Sequence, residues 1–173
     1  QLQSNKSYFG SEGFGFLTPL YACNLEQIKP MVTMVGKENI NMTGFLFESG
    51  KERDVRNSSM IGVTSIFLMD TENISISECN FYNNDYVSIQ LFKNNLNINM
   101  SYNGFYNTDV AIELMPEYLG NMMNEDIVIS NNYIEGGTSE GISIESGLYD
   151  YKDSYAINVL ISDNTIIDKP STA

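Results

Sequence analysis

The feature that most constrains the fold is an internal repeat. Five segments follow one rule: Asn or Asp, Ile or Val, any residue, Ile or Met, Ser or Thr, three variable residues, then Phe or Ile. They are "NINMTGFLF" (39–47), "NISISECNF" (73–81), "NINMSYNGF" (97–105), "DIVISNNYI" (126–134) and "NVLISDNTI" (158–166). The copies begin about 24 to 34 residues apart, which is a spacing typical of solenoid proteins.

Alternating segments lie between the repeat copies. They are "TSIFLM" (64–69), "YVSIQL" (86–91), "DVAIEL" (109–114) and "GISIES" (141–146), of which the first is the least regular. Alternation with a period of two predicts strands. Because no amphipathic helical pattern separates them, strands of one type are expected to pair in parallel between stacked coils. The alternative is a β-sandwich, but the one Asn-Gly hairpin signal, at 103–104, falls inside a repeat.

On these segments the chain resembles the right-handed parallel β-helix of the pectin-lyase-like superfamily, which includes pectate lyases, polygalacturonases and phage tailspike depolymerases. Asn103, Asn132 and Asn164 occupy one aligned turn position. The resemblance implies that this turn holds a left-handed residue, which Asn tolerates, and that the amides stack between coils. It implies an all-β solenoid of about five coils over residues 39–168, with 1–38 as an entry coil and cap-like region.

Composition narrows the function. We expect a single domain, 1–173, that is a segment of a longer protein. The net charge of −13 argues against nucleic acid, and against a polyanionic substrate unless a cation bridges the two. The absence of His excludes Ser-His and Cys-His pairs and His-ligated zinc within the chain. No apolar run is long enough for a membrane span. Of Cys23 and Cys79, the second is expected to be a buried free thiol.

Aligning the alternating segments predicts an outward column of Gln90, Glu113 and Glu145. Neighbouring strands are about 4.8 Å apart, so the two carboxylates are expected to be adjacent, which raises one pKa. A glycosidase uses such a pair. Asp85 and Asp109 begin the same strands and add an acidic edge. We therefore predict Glu113, Glu145 and Asp109 as catalytic, while an ordinary solvated surface remains the alternative.

Substrate-binding residues are predicted in the linkers after these strands. Residues 115–125 and 146–156 form longer linkers than the one after "YVSIQL". Such linkers on a rigid scaffold concentrate binding residues, and tyrosine rings stack on sugars. Packing of the linkers onto the scaffold is the alternative. The predicted binding residues are Gln90, Asp85, Tyr118, Tyr149, Tyr151 and Tyr155.

The leading hypothesis is a module, extracellular or on a virion surface, that binds and hydrolyses a polysaccharide. The "NTD" at 107–109 lacks the companion His motif of polygalacturonases, so that activity is not carried over. One alternative is a non-catalytic segment of a viral or cell-surface fibre, which can form a homotrimer through Phe67 and Phe92. A second alternative is a lyase with Ca²⁺ at the acidic edge, although no standard calcium-loop spacing occurs. No resident metal or cofactor is otherwise expected.

Overall fold

The computed structural model describes residues 4–9, 18–21, 30–48, 64–84, 86–115, 123–144 and 155–168. Across these ranges the chain is all-β, with strands joined by turns and no helix. The strands are β1 (Lys6–Phe9), β2 (Thr18–Tyr21), β3 (Val32–Val35), β4 (Glu38–Thr43), β5 (Phe45–Glu48), β6 (Ile66–Ser77), β7 (Asn80–Tyr82), β8 (Val87–Ser101), β9 (Gly104–Tyr106), β10 (Val110–Met115), β11 (Met123–Ser130), β12 (Tyr133–Glu135), β13 (Ile142–Ile144), β14 (Tyr155–Ser162) and β15 (Thr165–Ile167).

The strands form three rows in which neighbours are parallel. The first row contains β3, the first part of β6, the first part of β8, β10 and β13. The second contains β1, β4, the remainder of β6 and β8, β11 and β14. The third runs β2, β5, β7, β9, β12 and β15. The long strands β6 and β8 belong to two rows, and their pairing shifts register between Met69 and Thr71.

The register of the second row confirms the repeat alignment. Ile40 pairs with Ile74, Ile74 with Ile98, Ile98 with Ile127, and Ile127 with Val159. These are the second residues of the five predicted copies. All strand pairs found in the described ranges are parallel, so the hairpins that a β-sandwich requires do not occur there.

The core lies between the rows and is built mainly from alternate residues of each strand. In the third row Phe47, Phe81 and Phe105 are fully buried, with ring centroids 4.7 and 4.8 Å apart and ring planes within 6° of parallel. Offset stacking of this kind adds to the hydrophobic gain from burial. Ile134 continues the column and is also fully buried. Alternate residues of these short strands therefore face away from the core.

The buried Asn103 and Asn132 and the half-buried Asn164 form a ladder that we call the buried amide ladder. Asn132 Oδ1 accepts from the backbone N–H and the Nδ2 of Asn103, at 2.9 and 3.1 Å, and Asn164 Oδ1 accepts the same pair from Asn132, both at 2.9 Å. Each Nδ2 also donates to the carbonyl of Ile76, Met100 or Ile129. These contacts satisfy polar groups that the turn would otherwise leave buried and unpaired.

The left-handed turn residue is not the one predicted. Positive φ occurs one position earlier, at Glu78, Tyr102, Asn131 and Asp163, whereas the described backbone has no positive φ at Asn103, Asn132 or Asn164. Asn is required at the ladder for its inward amide, which both donates and accepts. The preceding residue turns the chain and keeps its side chain exposed or half-buried.

A second, surface amide ladder runs along the first residue of each repeat copy. Its residues have φ near 55° and are Asn5, Asn39, Asn73, Asn97, Asp126 and Asn158. In Asn39, Asn73, Asn97 and Asn158, Nδ2 donates to Oδ1 of the ladder residue at the preceding strand of the row, over 2.7–3.0 Å. The series is interrupted between Asn97 and Asp126, because a carboxylate has no N–H to donate.

Candidate functional site

Glu113, the central predicted catalytic residue, is buried even though it lies on the outward side of β10. The residue is 8% exposed, and Oε2 accepts a 2.6 Å hydrogen bond from Nε2 of Gln90, its register partner on β8. The predicted adjacency of these two residues is therefore confirmed. This hydrogen bond holds the carboxyl group of Glu113 in one orientation.

The predicted pairing of Glu113 with Glu145 is wrong in its register. Glu113 lies opposite Ser143, and Ile142 lies opposite Ile112 instead of Val110. Period-two alternation is unchanged by a slip of two residues, so the apolar pattern alone could not separate the two alignments. Glu145 itself lies outside the described residues. The described strands therefore bring no second carboxylate beside Glu113.

Asp109 is placed at the start of β10. Its backbone N–H donates to Asn84 at 2.7 Å, and its carboxylate accepts from the hydroxyl of Thr138. Glu113 follows Asp109 by four residue steps of extended chain, which amounts to about 13 Å. The two carboxylates are thus too far apart to work as a retaining pair on one sugar.

The other predicted binding residues lie outside the described parts. These are Asp85, Tyr118, Tyr149 and Tyr151, while Tyr155 begins β14 without a described side chain. Near Glu113, Ser88 is fully buried, and within the described part of the chain its hydroxyl has no hydrogen-bond partner. Ser88 precedes Ile89, a core residue, and so shares the outward side of β8 with Gln90. Together they form a buried polar patch on the first row.

A tyrosine cluster that the sequence reasoning missed lies on the outward side of the third row. Tyr82 and Tyr106 are register partners with ring centroids 4.7 Å apart and planes 13° from parallel. The ring of Tyr133 follows at 5.8 Å, tilted by 40°. Each of the three alternates with a buried core residue. The repeated "FY" after the turn was the available sequence signal.

Carboxylates border the tyrosine cluster on two sides: Glu48 lies at one end, and Glu135 lies alongside the rings of Tyr106 and Tyr133. Glu48 pairs with Tyr82, and Glu135 pairs with Tyr106 and accepts a 3.0 Å hydrogen bond from the hydroxyl of Tyr133. Burial, with smaller effects of Tyr106 and Glu48, raises the pKa of Tyr82, and the hydrogen bond to Glu135 raises the pKa of Tyr133. Both phenols therefore stay protonated and can donate hydrogen bonds through the neutral range.

Gly104 gives the tyrosine cluster its shape. A Cβ at this position would lie 2.7 Å from the ring of Tyr106 and would also collide with Oδ1 of Asn80. Gly104 itself is the register partner of Tyr133. The ring of Tyr106 thus lies over bare backbone, and this brings it within reach of the ring of Tyr133.

A cleft of about 480 Å³ opens where the first and second rows meet. We call it the acidic cleft. Glu72 on β6, Leu96 on β8 and Glu125 on β11 are consecutive register partners and lie side by side in it. Its described lining residues are Asp70, Thr71, Glu72, Asn94, Asn95, Leu96, Met123 and Glu125.

Two further searches cover the described ranges only. No group of three or more Asp, Glu or Cys side chains there is arranged to hold a metal ion. Those residues also include no helix with the length and apolar character of a membrane span.

Comparison of the chain with protein-family models, with curated proteins and with solved structures gave no match. Function must therefore be inferred from geometry.

Proposed function

We propose that the chain is a right-handed parallel β-helix and that this module binds a polysaccharide. The architecture is supported by three parallel rows, by five repeat copies in one register, and by left-handed residues that recur at the turns. The binding function is carried by one observation, the tyrosine cluster bordered by Glu48 and Glu135.

The cluster combines the two contacts that a sugar needs. Aromatic rings offer apolar surface to the C–H groups of a pyranose, and phenol and carboxylate oxygens bond its hydroxyls. The three rings span three successive strands, so the contact surface is about two strand spacings long, or roughly 9.6 Å. Because the strands are rigidly paired, the side chains lose little conformational freedom on binding.

Replacement of one ring tests this proposal. Tyr106→Ala removes the central ring, and we expect about a tenfold loss of affinity for the best ligand of a glycan panel, since a central tyrosine contact contributes at least about 1.4 kcal/mol. Tyr102→Ala is the matched control, because Tyr102 is 64% exposed and lies outside the cluster. Binding is measured by calorimetry, with unfolding curves to verify the fold. Equal affinities for both variants would contradict the proposal.

A substitution that keeps all three tyrosines provides an independent test. Gly104→Ala displaces the flexible ring of Tyr106 while leaving the core intact, so we expect a clear loss of affinity with a free energy of unfolding reduced by only about 1 kcal/mol. Unchanged affinity would mean that ring placement is irrelevant to binding.

Hydrolysis is proposed as an activity of the same module, with Glu113 as its carboxyl group. The supporting observation is the burial of this carboxylate on an outward side, held by Gln90. Such a buried acid is typical of a catalytic position. Glu113→Gln is expected to abolish release of reducing ends from any glycan that the wild type cleaves, whereas Glu38→Gln, on the exposed start of β4, is expected to retain it. Full cleavage by the Glu113 variant would exclude this role.

A lateral apolar patch favours the fibre hypothesis as a second candidate. On the outward side of the first row Phe67 and Phe92 have ring centroids 5.7 Å apart, and Met69 and Met115 pair with Phe92; all four are half-buried. Three chains packed side by side would cover these residues. Sedimentation is expected to show a trimer that Phe92→Ser dissociates and Leu160→Ser, on another row, does not. A monomeric wild type at micromolar concentration would reject this candidate.

A further inference from the structure

The acidic cleft lies on different rows from the tyrosine cluster and has its own chemistry. Glu72 and Glu125 lie one strand on either side of Leu96, which places their backbones about 9.6 Å apart. Leu96 and Met123 are 37% and 38% exposed and give the cleft an apolar surface between its carboxylates. None of the described lining residues is basic. A ligand with an apolar face and positive charges would match this surface.

Hydrogen bonds hold the walls of the cleft in place. Asn94 Nδ2 donates to Asp70 at 3.1 Å, and Asn94 Oδ1 accepts from the backbone N–H of Met123 at 3.0 Å, so one side chain joins β6, β8 and β11. Beneath it, Thr71 donates to Asn95 at 2.7 Å, and Asn95 donates to the buried Asn124 at 2.8 Å. The cleft is therefore preformed, which reduces the entropic cost of binding.

The charge of the whole chain acts in the same direction. A net charge of −13 attracts cations and repels polyanions, and a cleft lined by one sign of charge concentrates the attracted ligand. A neutral sugar would gain nothing from Asp70, Glu72 and Glu125 beyond ordinary hydrogen bonds. A sugar whose amino group is protonated gains ion pairs with the same carboxylates while its ring covers Leu96.

We propose that the acidic cleft binds sugar units that carry a free, protonated amino group, and that the polysaccharide recognised by this module is cationic. This inference rests on the proposed function and names its substrate class. The protonated amino groups lie against Glu72 and Glu125, and the apolar face of a ring lies on Leu96.

Two oligosaccharides that differ only in acetylation test the proposal. Glucosamine hexamer carries free amino groups, and N-acetylglucosamine hexamer does not. At mildly acidic pH and moderate salt, calorimetry is expected to show the glucosamine hexamer binding at least about fivefold more tightly, as expected for two exposed ion pairs. The double variant Glu72→Gln/Glu125→Gln is expected to lose this preference.

A charge-matched control separates the cleft from general attraction. Asp163→Asn/Asp168→Asn removes the same two charges from exposed turn residues beside β15 and is expected to keep the preference. Equal loss in both double variants would overturn the cleft assignment. Binding of either hexamer that depends on Tyr106 but ignores acetylation would reject the inference and leave the proposed function standing. Absence of binding to a full glycan panel would reject both.

Discussion

Left-handed backbone conformations decide which side chains occupy the turns. Asn and Asp adopt positive φ more easily than other L-residues, because their short polar side chains bond locally. They fill the surface amide ladder completely. Tyr102, Glu78 and Lys93 adopt the same conformation without that advantage, at a cost of about 1 kcal/mol or more each. Ladder contacts and core packing around these turns offset the strain.

Cys79 gives a residue-scale prediction on pH. It is a free thiol with no exposed surface, as expected from the sequence, and burial raises its pKa from 9.0 to about 11. Because the raised pKa favours the protonated thiol in the folded state, its contribution to stability is complete below pH 9 and is lost as pH rises towards 11. We expect the unfolding free energy to fall by roughly 2–3 kcal/mol over that window.

The comparison variant for Cys79 is Cys79→Ala, which removes the titrating group and also part of the core volume. Its stability is lower at every pH, but the fall between pH 9 and 11 is expected to be smaller, because the buried thiol no longer contributes to it. Urea unfolding at several pH values measures both proteins. If the unfolding free energies of the two proteins changed in parallel with pH, ionisation of the Cys79 thiol would not be coupled to folding.

Residue identities at the turns were predictable, but their roles were not. The aligned Asn103, Asn132 and Asn164 stand out in the sequence, yet the apolar pattern carries no information on φ, so the left-handed position was assigned one residue late. The Asn or Asp at the start of each repeat was equally visible. Its ladder could not be inferred, because an exposed Asn also suits an ordinary turn.

At the scale of elements, the buried amide ladder links the second and third rows. Asn132→Ala removes an acceptor for Asn103 and a donor for the carbonyl of Met100 at a site that is 2% exposed. Leaving several buried groups unpaired is expected to cost about 3–5 kcal/mol. Asn164→Ala breaks similar bonds at a half-buried position, where water can replace them, so a loss of about 1–2 kcal/mol is expected. Denaturant unfolding of both variants checks the order, and equal losses would contradict it.

The interruption of the surface amide ladder can be repaired. Asp126→Asn supplies an N–H donor for Oδ1 of Asn97 and keeps the acceptor for Asn158, so we expect stabilisation of about 0.5–1.5 kcal/mol. Asp163→Asn removes the same charge at another exposed residue with positive φ, but it restores no ladder bond. Urea unfolding compares the two, and equal stabilisation would attribute the effect to charge alone.

Strand types and their parallel order were predictable from alternation and repeat spacing, and the register was predictable wherever a copy carried more than alternation. The Asn/Asp-Ile/Val-x-Ile/Met-Ser/Thr rule determined the register of the second row, because the polar residues at both ends of the rule allow only one alignment of the copies. "GISIES" offered alternation only, and its alignment slipped by two residues. The candidate site shifted with it, since the Glu113–Glu145 pair depended on that register.

At the scale of the molecule, charge sets an expected response to salt. With a net charge of −13, repulsion among carboxylates opposes the folded state. Raising NaCl from about 0.01 M to about 1 M shortens the Debye length from about 30 to about 3 Å. We expect the thermal midpoint to rise by about 2–4 °C for each kcal/mol of repulsion screened. Scanning calorimetry measures the shift, and a lower midpoint in salt would show that attractive ion pairs dominate.

Surface chemistry of the whole molecule was the least predictable level. The tyrosine cluster requires knowledge of which side of a three-residue strand faces outward, and the acidic cleft forms only where β6, β8 and β11 meet. Neither follows from local pattern, because each joins residues from three strands that are distant in the sequence. Charge and the absence of His were sequence properties, and they restrict the chemistry available to any site.

Register partners in the second row are separated by 24, 29, 32 or 34 residues, although the strands they join stay in step. The parallel rows thus tolerate insertions between strands without moving the paired positions, because closure of a longer connection costs little extra entropy. Connecting segments can therefore be lengthened or exchanged one at a time to change what the protein recognises, while the paired strands keep their arrangement.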